Sequence, residues 1–244
     1  MRGFVDLHSH YLPAIDDGVK SQEQGLELLR ALHQVGFDHV VATPHMRPSM
    51  WDNQAPAIRE VFAAMQSVAT GPGVPTLGLA AEHFFDDIVY GRLMAGQGLP
   101  YGNGRAVLVE FAYERLPLQI EARFFDLRRK RLRPVVAHPE RYEPFWKKPE
   151  KAAESMRRAG GVLLLDIAAL VGKYGQKAQR TAEELVEAEA YYAACSDAHR
   201  PEDAVEVGRA IDRLDKLMGV EERQRLLTTG PREILEGRIL DAFD

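Results

Sequence analysis

The first residues that could do chemistry lie in the stretch "FVDLHSHYLPAIDDG" (4–18), where a short apolar run ends in His8 and His10. Side chains alternate from one face of a strand to the other, so these two imidazoles are expected on the same side. Asp16 and Asp17 follow a few residues later, before Gly18. Imidazole nitrogens together with carboxylate oxygens are ligands for transition metals. The stretch therefore indicates a metal site at the end of a strand.

Other apolar runs end in the same residue types. The potential ligands after the first run are His45, Glu82 with His83, Glu110, His138, and Asp197 with His199. In an α/β barrel the carboxyl ends of all strands share one face, so these side chains are expected to converge. Buried charges without compensation are costly, and divalent cations are the simplest compensation. Nitrogen and oxygen ligands without thiolates favour Mn, Fe or Zn over Ca or Cu(I).

The elements that must position these ligands alternate along the chain. Seven apolar runs read as buried strands: 4–7, 39–43, 76–81, 106–110, 134–137, 162–167 and 191–195. Helical patterns separate most of them, and Ser21 with Gln24 predicts a capping box for the first helix. Strands that alternate with helices indicate parallel βαβ units. We therefore expect an α/β fold with a seven-stranded, barrel-like sheet, and a single domain over residues 1–244.

Composition excludes several classes of protein. The 244 residues carry a net charge of −5, which does not favour a nucleic-acid partner. The single cysteine, Cys195, rules out an intramolecular disulfide and a cysteine-based zinc cluster, and it fits a reducing cytoplasm. No apolar run reaches the roughly 20 residues of a membrane helix, and no signal-peptide pattern is present. We expect a cytoplasmic protein without membrane insertion, of open oligomeric state.

The motifs resemble those of the PHP (polymerase and histidinol phosphatase) family, and most closely its bacterial protein-tyrosine phosphatases of capsular and exopolysaccharide operons. The matching segments are "DLHSHYLPAIDDG", "ATPHMRP", "AAEHFFDD", "LVEF", "VVAHPERY", "LVGKYG" and "CSDAHRPED". The resemblance implies a distorted (β/α)7 barrel of PHP type with three divalent metal ions, Mn first, with Fe or Zn as alternatives.

The resemblance also implies a ligand set. His8, His10, Glu82 and Asp197 would hold one metal, and Glu82 would bridge to a second one held with Glu110 and His138. Asp17, His45 and His199 would hold the third. Asp16 is interpreted as a turn residue beside Gly18. Three divalent ions contribute about +6 and four carboxylates about −4, and the remaining charge of about +2 suits a phosphomonoester dianion.

Three arginines are candidates for phosphate contact. The resemblance gives Arg141 this role, Arg47 follows the "TPH" motif, and Arg200 is either a second phosphate-binding cation or a surface charge. Asp166 stays open between accepting a hydrogen bond from a ligand histidine and facing the barrel mouth. Cys195, which lacks the loop of cysteine-based tyrosine phosphatases, is interpreted as a core residue, and His33 and His39 as structural.

The implied reaction is direct attack of a metal-bridging hydroxide on phosphorus. The expected substrate is a phosphotyrosine protein, in particular a bacterial tyrosine autokinase in polysaccharide control. Two alternatives remain: a small-molecule phosphatase of histidinol-phosphate type, and a non-catalytic metal-binding regulatory protein. The rim of the site should distinguish the first two, since histidinol phosphate needs a carboxylate for its amine. A nuclease-type domain conflicts with the low pI of about 5.9.

Overall fold

A computed structural model describes residues 3–239 of the chain. These residues form strands that, except for three short ones, match the apolar runs of the sequence. The strands are β1 (Phe4–Ser9), β2 (Phe37–Ala42), β3 (His45–Met46), β4 (Thr76–Leu79), β5 (Glu82–Phe84), β6 (Ala106–Glu110), β7 (Arg133–Ala137), β8 (Val162–Asp166) and β9 (Ala193–Cys195). The terminal residues 1–2 and 240–244 of the predicted single domain lie outside the described residues.

Helices connect successive strands. They are α1 (Gln22–Gln34), α2 (Ala55–Val68), α3 (Asp87–Met94), α4 (Ile120–Arg129), α5 (Glu143–Trp146), α6 (Pro149–Arg158), α7 (Gln176–Glu187), α8 (Asp203–Gln224) and α9 (Gly230–Glu236). None of the helices within residues 3–239 is long and apolar enough to cross a membrane.

The predicted cap of α1 is half right. The Ser21 side chain accepts a hydrogen bond from the Gln24 backbone N–H, as expected for an N-cap. In a capping box the Gln24 side chain would return to the N–H of Ser21, but its Oε1 accepts instead from the N–H of Lys20 at 2.8 Å.

Every strand pair within the two sheets is parallel, which confirms the α/β class with parallel sheets. Instead of one seven-stranded sheet, the described residues form a three-stranded sheet (β1-β2-β4) and a six-stranded sheet (β3-β5-β6-β7-β8-β9). The break falls between β2 and β3 and between β4 and β5, where two residues interrupt each predicted strand. A single parallel bridge between Ser9 and Ala198 joins the end of β1 to the chain after β9.

Neighbouring residues in the strands pack on opposite faces. Val109, Val136 and Leu165 belong to the large core that includes the helices. Their neighbours Leu108, Val135 and Leu164 belong to a smaller cluster made mainly of strand residues. Because both faces are buried, the strands read as continuous apolar runs rather than as alternating ones. This packing holds the strands in register, so their carboxyl ends open at one face.

Candidate metal centre and active site

The predicted ligands converge at the carboxyl ends of the strands. Four overlapping groups of ligand atoms each lie within 4.8 Å of one another: His10, Asp17, His45 and His199; His8, His10 and Glu82; His8, His138 and Asp197; and His45, Glu82 and Glu110. Their members come from positions 8 to 199 of the chain. The structure therefore brings together all nine side chains, and six strand ends contribute to one cluster.

Glu82 lies at the centre of this cluster. Its Oε1 is 3.3 Å from Nε2 of His8 and 3.1 Å from Nε2 of His138. Its Oε2 is 2.9 Å from Nδ1 of His45 and 3.7 Å from Nε2 of His10. The carboxylate is 1% exposed, so its neighbours rather than water must balance its charge. Two oxygens that face different histidines suit a carboxylate that bridges two ions.

Asp17 marks the outer edge of the cluster. Its Oδ1 is 3.5 Å from Nε2 of His45 and 3.5 Å from Nε2 of His199, and its side chain is 46% exposed. This group is therefore open toward solvent, whereas the groups around Glu82 are buried.

Hydrogen bonds orient the imidazoles. His8 Nδ1 lies 2.6 Å from the Thr43 hydroxyl, and His199 Nδ1 lies 2.9 Å from the backbone oxygen of Asp197. His10 Nδ1 lies 2.7 Å from Asp16 Oδ2. In each ring this leaves Nε2 directed into the cluster, an arrangement that is typical of metal-ligating histidines.

Asp16 has a role that the sequence interpretation missed. It accepts a hydrogen bond from the N–H of Gly18, as the turn interpretation expects. Its other oxygen contacts both the ring of His10 and the backbone N–H of His45. Asp16 therefore positions two of the predicted ligands from behind, and the short spacing of six residues to His10 was the available signal.

The charges of the cluster stabilise one another. Burial alone would lower the pKa of His8, but the charges on Glu82 and Asp197 outweigh it and raise the pKa well above its usual value. Burial would raise the pKa of Glu82, but His8 and His45 hold it well below the usual range. Burial, with the charge on Glu82, raises the pKa of Glu110 to about 8. The carboxylates thus require positive charge in their midst.

The donor atoms fit divalent ions. Buried atoms without a hydrogen-bond partner include Nε2 of His8, Nε2 of His10, Nδ1 of His45, Oε2 of Glu110 and Oδ1 of Asp197. Unsatisfied buried polar atoms are rare in proteins, and a cluster of them points to a missing ligand. A cation among these atoms would satisfy them and would take over the charge that protonated imidazoles otherwise supply.

Two of the predicted ligands have strained backbones. His138 and Asp197 have φ values of +34° and +45°, in the left-handed region that residues other than glycine seldom occupy. Each follows directly or closely on a strand, β7 or β9. Strain of this kind persists where the surroundings enforce it, and it is concentrated at functional sites.

Arg141 lies beside the cluster. Its Nη1 donates to Oδ2 of Asp197 at 2.5 Å and to Oδ2 of Asp166 at 3.3 Å. Its Nη2 donates to the hydroxyl of Tyr113 at 2.6 Å. Asp166 therefore holds an arginine rather than a ligand histidine. The surface pairing of Arg141 with Glu140 or Glu143, the bland alternative, is not what the structure shows.

A cavity of about 210 Å³ opens over the cluster. Arg47 and Arg141 line it together with Met50, Trp51, Tyr113 and most of the predicted ligands. Trp51 stacks on the ring of His45 at 4.8 Å, and the Arg47 guanidinium lies 4.1 Å from the ring of Phe84. Arg200, by contrast, is exposed and does not line this cavity.

Two buried carboxylates that sequence reasoning overlooked support the site. Asp6 accepts hydrogen bonds from the hydroxyl and the N–H of Ser196, at 2.5 and 2.9 Å, which ties β1 to the segment before Asp197. Glu140 accepts from the Tyr191 hydroxyl and from the N–H of Asp166. Burial raises the pKa of Asp6 to about 6 and that of Glu140 to about 8. Both look like ordinary motif residues in the sequence.

The remaining candidates have structural surroundings. Cys195 is fully buried, its thiol donates to the backbone oxygen of Leu165, and burial raises its pKa well above the usual value. His83 contacts the backbone oxygen of Leu108 and accepts from the N–H of Leu99. His33 and His39 contact a backbone oxygen and a threonine hydroxyl away from the cavity.

Comparison with known proteins agrees with this geometry. Residues 4–236 match the family model described as "Capsular polysaccharide synthesis, CpsB/CapC". The chain is 29% identical over 199 residues to tyrosine-protein phosphatase YwqE of Bacillus subtilis (80% of this chain, 77% of the relative). It is 23% identical over 242 residues to tyrosine-protein phosphatase CpsB of Streptococcus pneumoniae (97% and 100%).

Solved structures show the same relationship. The fold matches, with a TM-score of 0.87 and 27% identity over 97% of this chain and 96% of the other, a structure reported for YwqE and CpsB as "unique metal-dependent tyrosine phosphatases". A phosphotriesterase homology protein from Escherichia coli shares the fold alone, with a TM-score of 0.60 and 11% identity over 96% and 99% of the two chains.

The resemblance seen in the motifs is therefore confirmed, and the metal-dependent phosphatase activity that it implied is the one named for these relatives. The site adds groups of histidine and carboxylate ligands that can hold metal ions. With the family model covering residues 4–236, the chain belongs to the CpsB/CapC family of capsular polysaccharide synthesis.

Proposed function

We propose that this protein hydrolyses phosphotyrosine in proteins with the help of three divalent metal ions. The observation that carries the proposal is the placement of Arg47 and Arg141 on the same cavity as the buried histidine and carboxylate cluster. Such a cavity offers metal ligands below and phosphate-binding cations at the side. The relatives named as tyrosine phosphatases support the same conclusion.

The ligand groups support three ions, with Glu82 shared between two of them. We assign the ions as the resemblance implies, with manganese first and iron or zinc as alternatives. Divalent ions at such a site, when bound, draw the phosphate in and lower the pKa of water so that hydroxide is available near neutral pH. Glu82, Asp197 and the inward-facing imidazoles serve to hold the ions close together.

Arg141 is suited to bind the phosphate oxygens. A guanidinium is always charged and has no lone pair for a metal, so its function at this site must concern anions. Its contacts with Asp166 and Tyr113 hold it beside the cavity. Arg47 approaches from the other side, above the ring of Phe84. Two cations that flank the phosphoryl group stabilise the charge on its oxygens during transfer.

The rim favours an aryl phosphate over histidinol phosphate. Among the described residues that line the cavity, the carboxylates are Asp17, Glu82, Glu110 and Asp197, all of which belong to the ligand cluster. No further carboxylate is available there to pair with a substrate ammonium. Instead, Trp51 and Tyr113 offer aromatic surface, and Tyr113 is 42% exposed. Aromatic surface at the entrance suits the ring of phosphotyrosine.

Further parts of the proposal follow from the family. We propose that the interrupted strands β2/β3 and β4/β5 each count as one strand, so that the sheet is a seven-stranded barrel of PHP type over a single domain. The Ser9–Ala198 bridge supports closure between the first and last strands. We further propose a cytoplasmic enzyme whose substrate is a bacterial tyrosine autokinase in polysaccharide control.

A substrate panel tests the proposed activity. Purified protein is assayed with a phosphotyrosine peptide, a matched phosphoserine peptide and histidinol phosphate, each with added Mn²⁺ and with chelator. We expect turnover of the phosphotyrosine peptide that is lost in chelator and restored by Mn²⁺. Cys195→Ser is the control for a thiol mechanism, and we expect it to keep nearly full activity because the thiol is buried and protonated.

Three outcomes would contradict the proposal. Preference for histidinol phosphate would favour the small-molecule phosphatase. Metal binding without turnover of any of these phosphate esters would favour a regulatory protein. A folded, metal-loaded Cys195→Ser variant without activity would replace the metal mechanism by a thiol mechanism.

A further inference from the structure

A second cavity, of about 420 Å³, lies at the opposite end of the sheet from the metal cluster. It is formed by the end of α4, the loop that leads into β7, the residue before β6 and the chain after α9. These are the amino-terminal ends of the strands. The proposed activity therefore gives this cavity no role, and none of the residues considered for catalysis lines it.

Arginines dominate the lining of this cavity. They are Arg105, Arg128, Arg129, Arg131 and Arg133. Among the described residues that line it, none is acidic, although the whole chain has 36 acidic and 31 basic residues. Five like charges around one concavity create a strong positive potential that attracts anions. The composition of the cavity is therefore opposite to that of the chain.

The arginines are held in place by local backbone features. The N–H of Arg133 donates to the backbone oxygen of Arg105 at 2.7 Å, so the two lie side by side on neighbouring strands. Gly237 has φ of +65°, and a Cβ there would lie 2.7 Å from Cδ of Arg105. Gly160 has φ of +94°, and a Cβ there would collide with the side chain of Arg128. Two glycines thus leave room for two of the arginines.

The chemistry of the lining indicates the class of ligand. Arginine presents a planar fork of donors that matches phosphate oxygens in pairs, whereas lysine offers only a point charge. The cavity also contains apolar surface from Phe125, which is 59% exposed, and from Leu132. Its volume lies within the usual range for sites that bind small molecules, roughly 300–1,000 Å³. A phosphate group with an attached ring would use both parts.

We propose that this arginine cavity binds a nucleoside polyphosphate, with the phosphates on the arginines and the ring against Phe125. A concave site favours a small molecule over a flat membrane surface, although the headgroup of an acidic lipid offers similar phosphate chemistry. Free pyrophosphate shares the charge but lacks the ring. The proposal is independent of the phosphatase activity, because the two cavities share no lining residue.

Binding of ADP and ATP to the full-length, metal-loaded protein tests the proposal, with pyrophosphate and phosphatidylglycerol vesicles as comparison probes. The test variant is Arg129→Gln with Arg131→Gln, both exposed. The control is Arg59→Gln with Arg209→Gln, which removes the same charge from exposed arginines that do not line the cavity. Arg141→Ala reports binding at the metal site instead.

We expect the test pair to weaken nucleotide binding about tenfold or more, because charge-assisted hydrogen bonds to phosphate are lost. The control pair and Arg141→Ala should bind nucleotide as the parent does, and phosphatase activity of the test pair should be unchanged. Phe125→Ala should weaken binding of ADP but not of pyrophosphate. Equal loss in the control pair, loss in Arg141→Ala, binding of vesicles alone, or no nucleotide binding by the parent would each overturn the proposal.

Discussion

The floor and the rim of the catalytic cavity are built in different ways. On the floor, His8, Glu82 and Asp197 are almost completely buried, and hydrogen bonds from behind orient the histidines. On the rim, Trp51 is partly exposed, Tyr113 is 42% exposed, and both meet other side chains through ring faces or single hydrogen bonds. A buried, fully constrained floor suits ions that need fixed geometry, whereas a partly exposed rim suits the choice of substrate.

This comparison predicts different consequences for changes in the two regions. Substitutions on the floor should reduce metal content and activity together. Substitutions on the rim should change activity or substrate preference while the metals remain bound. Measuring metal content beside kinetics in every variant therefore separates the two regions.

The largest effect is expected for Glu82→Ala on the floor. Because Glu82 contacts histidines of two ligand groups, its loss should lower metal content by more than one ion per chain. Activity should fall on the order of 1,000-fold or more, since the ions supply several kcal/mol of transition-state stabilisation. Elemental analysis and steady-state kinetics check this, with the exposed Glu114→Gln as control. Loss of one ion or none would rule out the bridging role.

Arg141→Ala should have the next largest effect. We expect full metal occupancy and a decrease in kcat/KM on the order of 100-fold, as for the loss of a donor to developing negative charge. Inorganic phosphate should also inhibit this variant less. Arg200→Ala is the matched control, because Arg200 is an exposed arginine outside the cavity, and we expect its kinetics to stay near those of the parent.

A rate of Arg141→Ala within about threefold of the parent would contradict this prediction, because a phosphate-binding donor is worth far more than that. A large loss in Arg200→Ala would transfer the phosphate-binding role to Arg200, as the sequence interpretation allowed.

Asp16→Asn tests whether the support behind the floor matters. Asparagine keeps an oxygen for the N–H of Gly18 but removes the charge that faces the ring of His10. Metal affinity should fall about 10- to 100-fold, as is typical when the partner of a ligand histidine is changed. Metal titration measures the effect, and thermal unfolding shows whether the turn is intact. Unchanged metal affinity would reduce Asp16 to a turn residue.

Trp51→Ala is expected to have the smallest effect, of about tenfold, because it removes aromatic contact at the rim. The loss should appear in KM for an aryl phosphate and be much smaller for an alkyl phosphate such as glycerol phosphate. Trp51→Phe should restore most of the preference. Since Trp51 also stacks on His45, metal content is measured alongside. Equal losses for aryl and alkyl substrates would assign Trp51 to the floor rather than to the rim.

The sequence predicted much of the floor. Parallel strands place their carboxyl ends on one face, so a ligand type at the end of each apolar run was enough to group residues as distant as His8 and His199. The period of two placed His8 and His10 together, and the structure shows their rings 5.1 Å apart. The α/β class followed from the same runs.

Other features depended on contacts that no spacing reveals. The partners of Arg141 are Asp197 and Asp166, which lie 56 and 25 positions away in the chain. The exposure of Arg200 is decided by how the residues after Asp197 turn into α8. The break of the predicted seven strands into two sheets depends on local backbone geometry at two interruptions.

The amino-acid sequence by itself thus determined which residues can bind metal and at which end of the sheet they lie, because strand periodicity and parallel topology are local and repetitive. Only the tertiary structure decided what surrounds each of them. Asp6, Asp16 and Glu140 acquire their roles through hydrogen bonds to particular partners, and the arginine cavity joins residues 105, 133 and 237. Burial and charge pairing are properties of the packed molecule, and they arise only when segments distant in the chain meet.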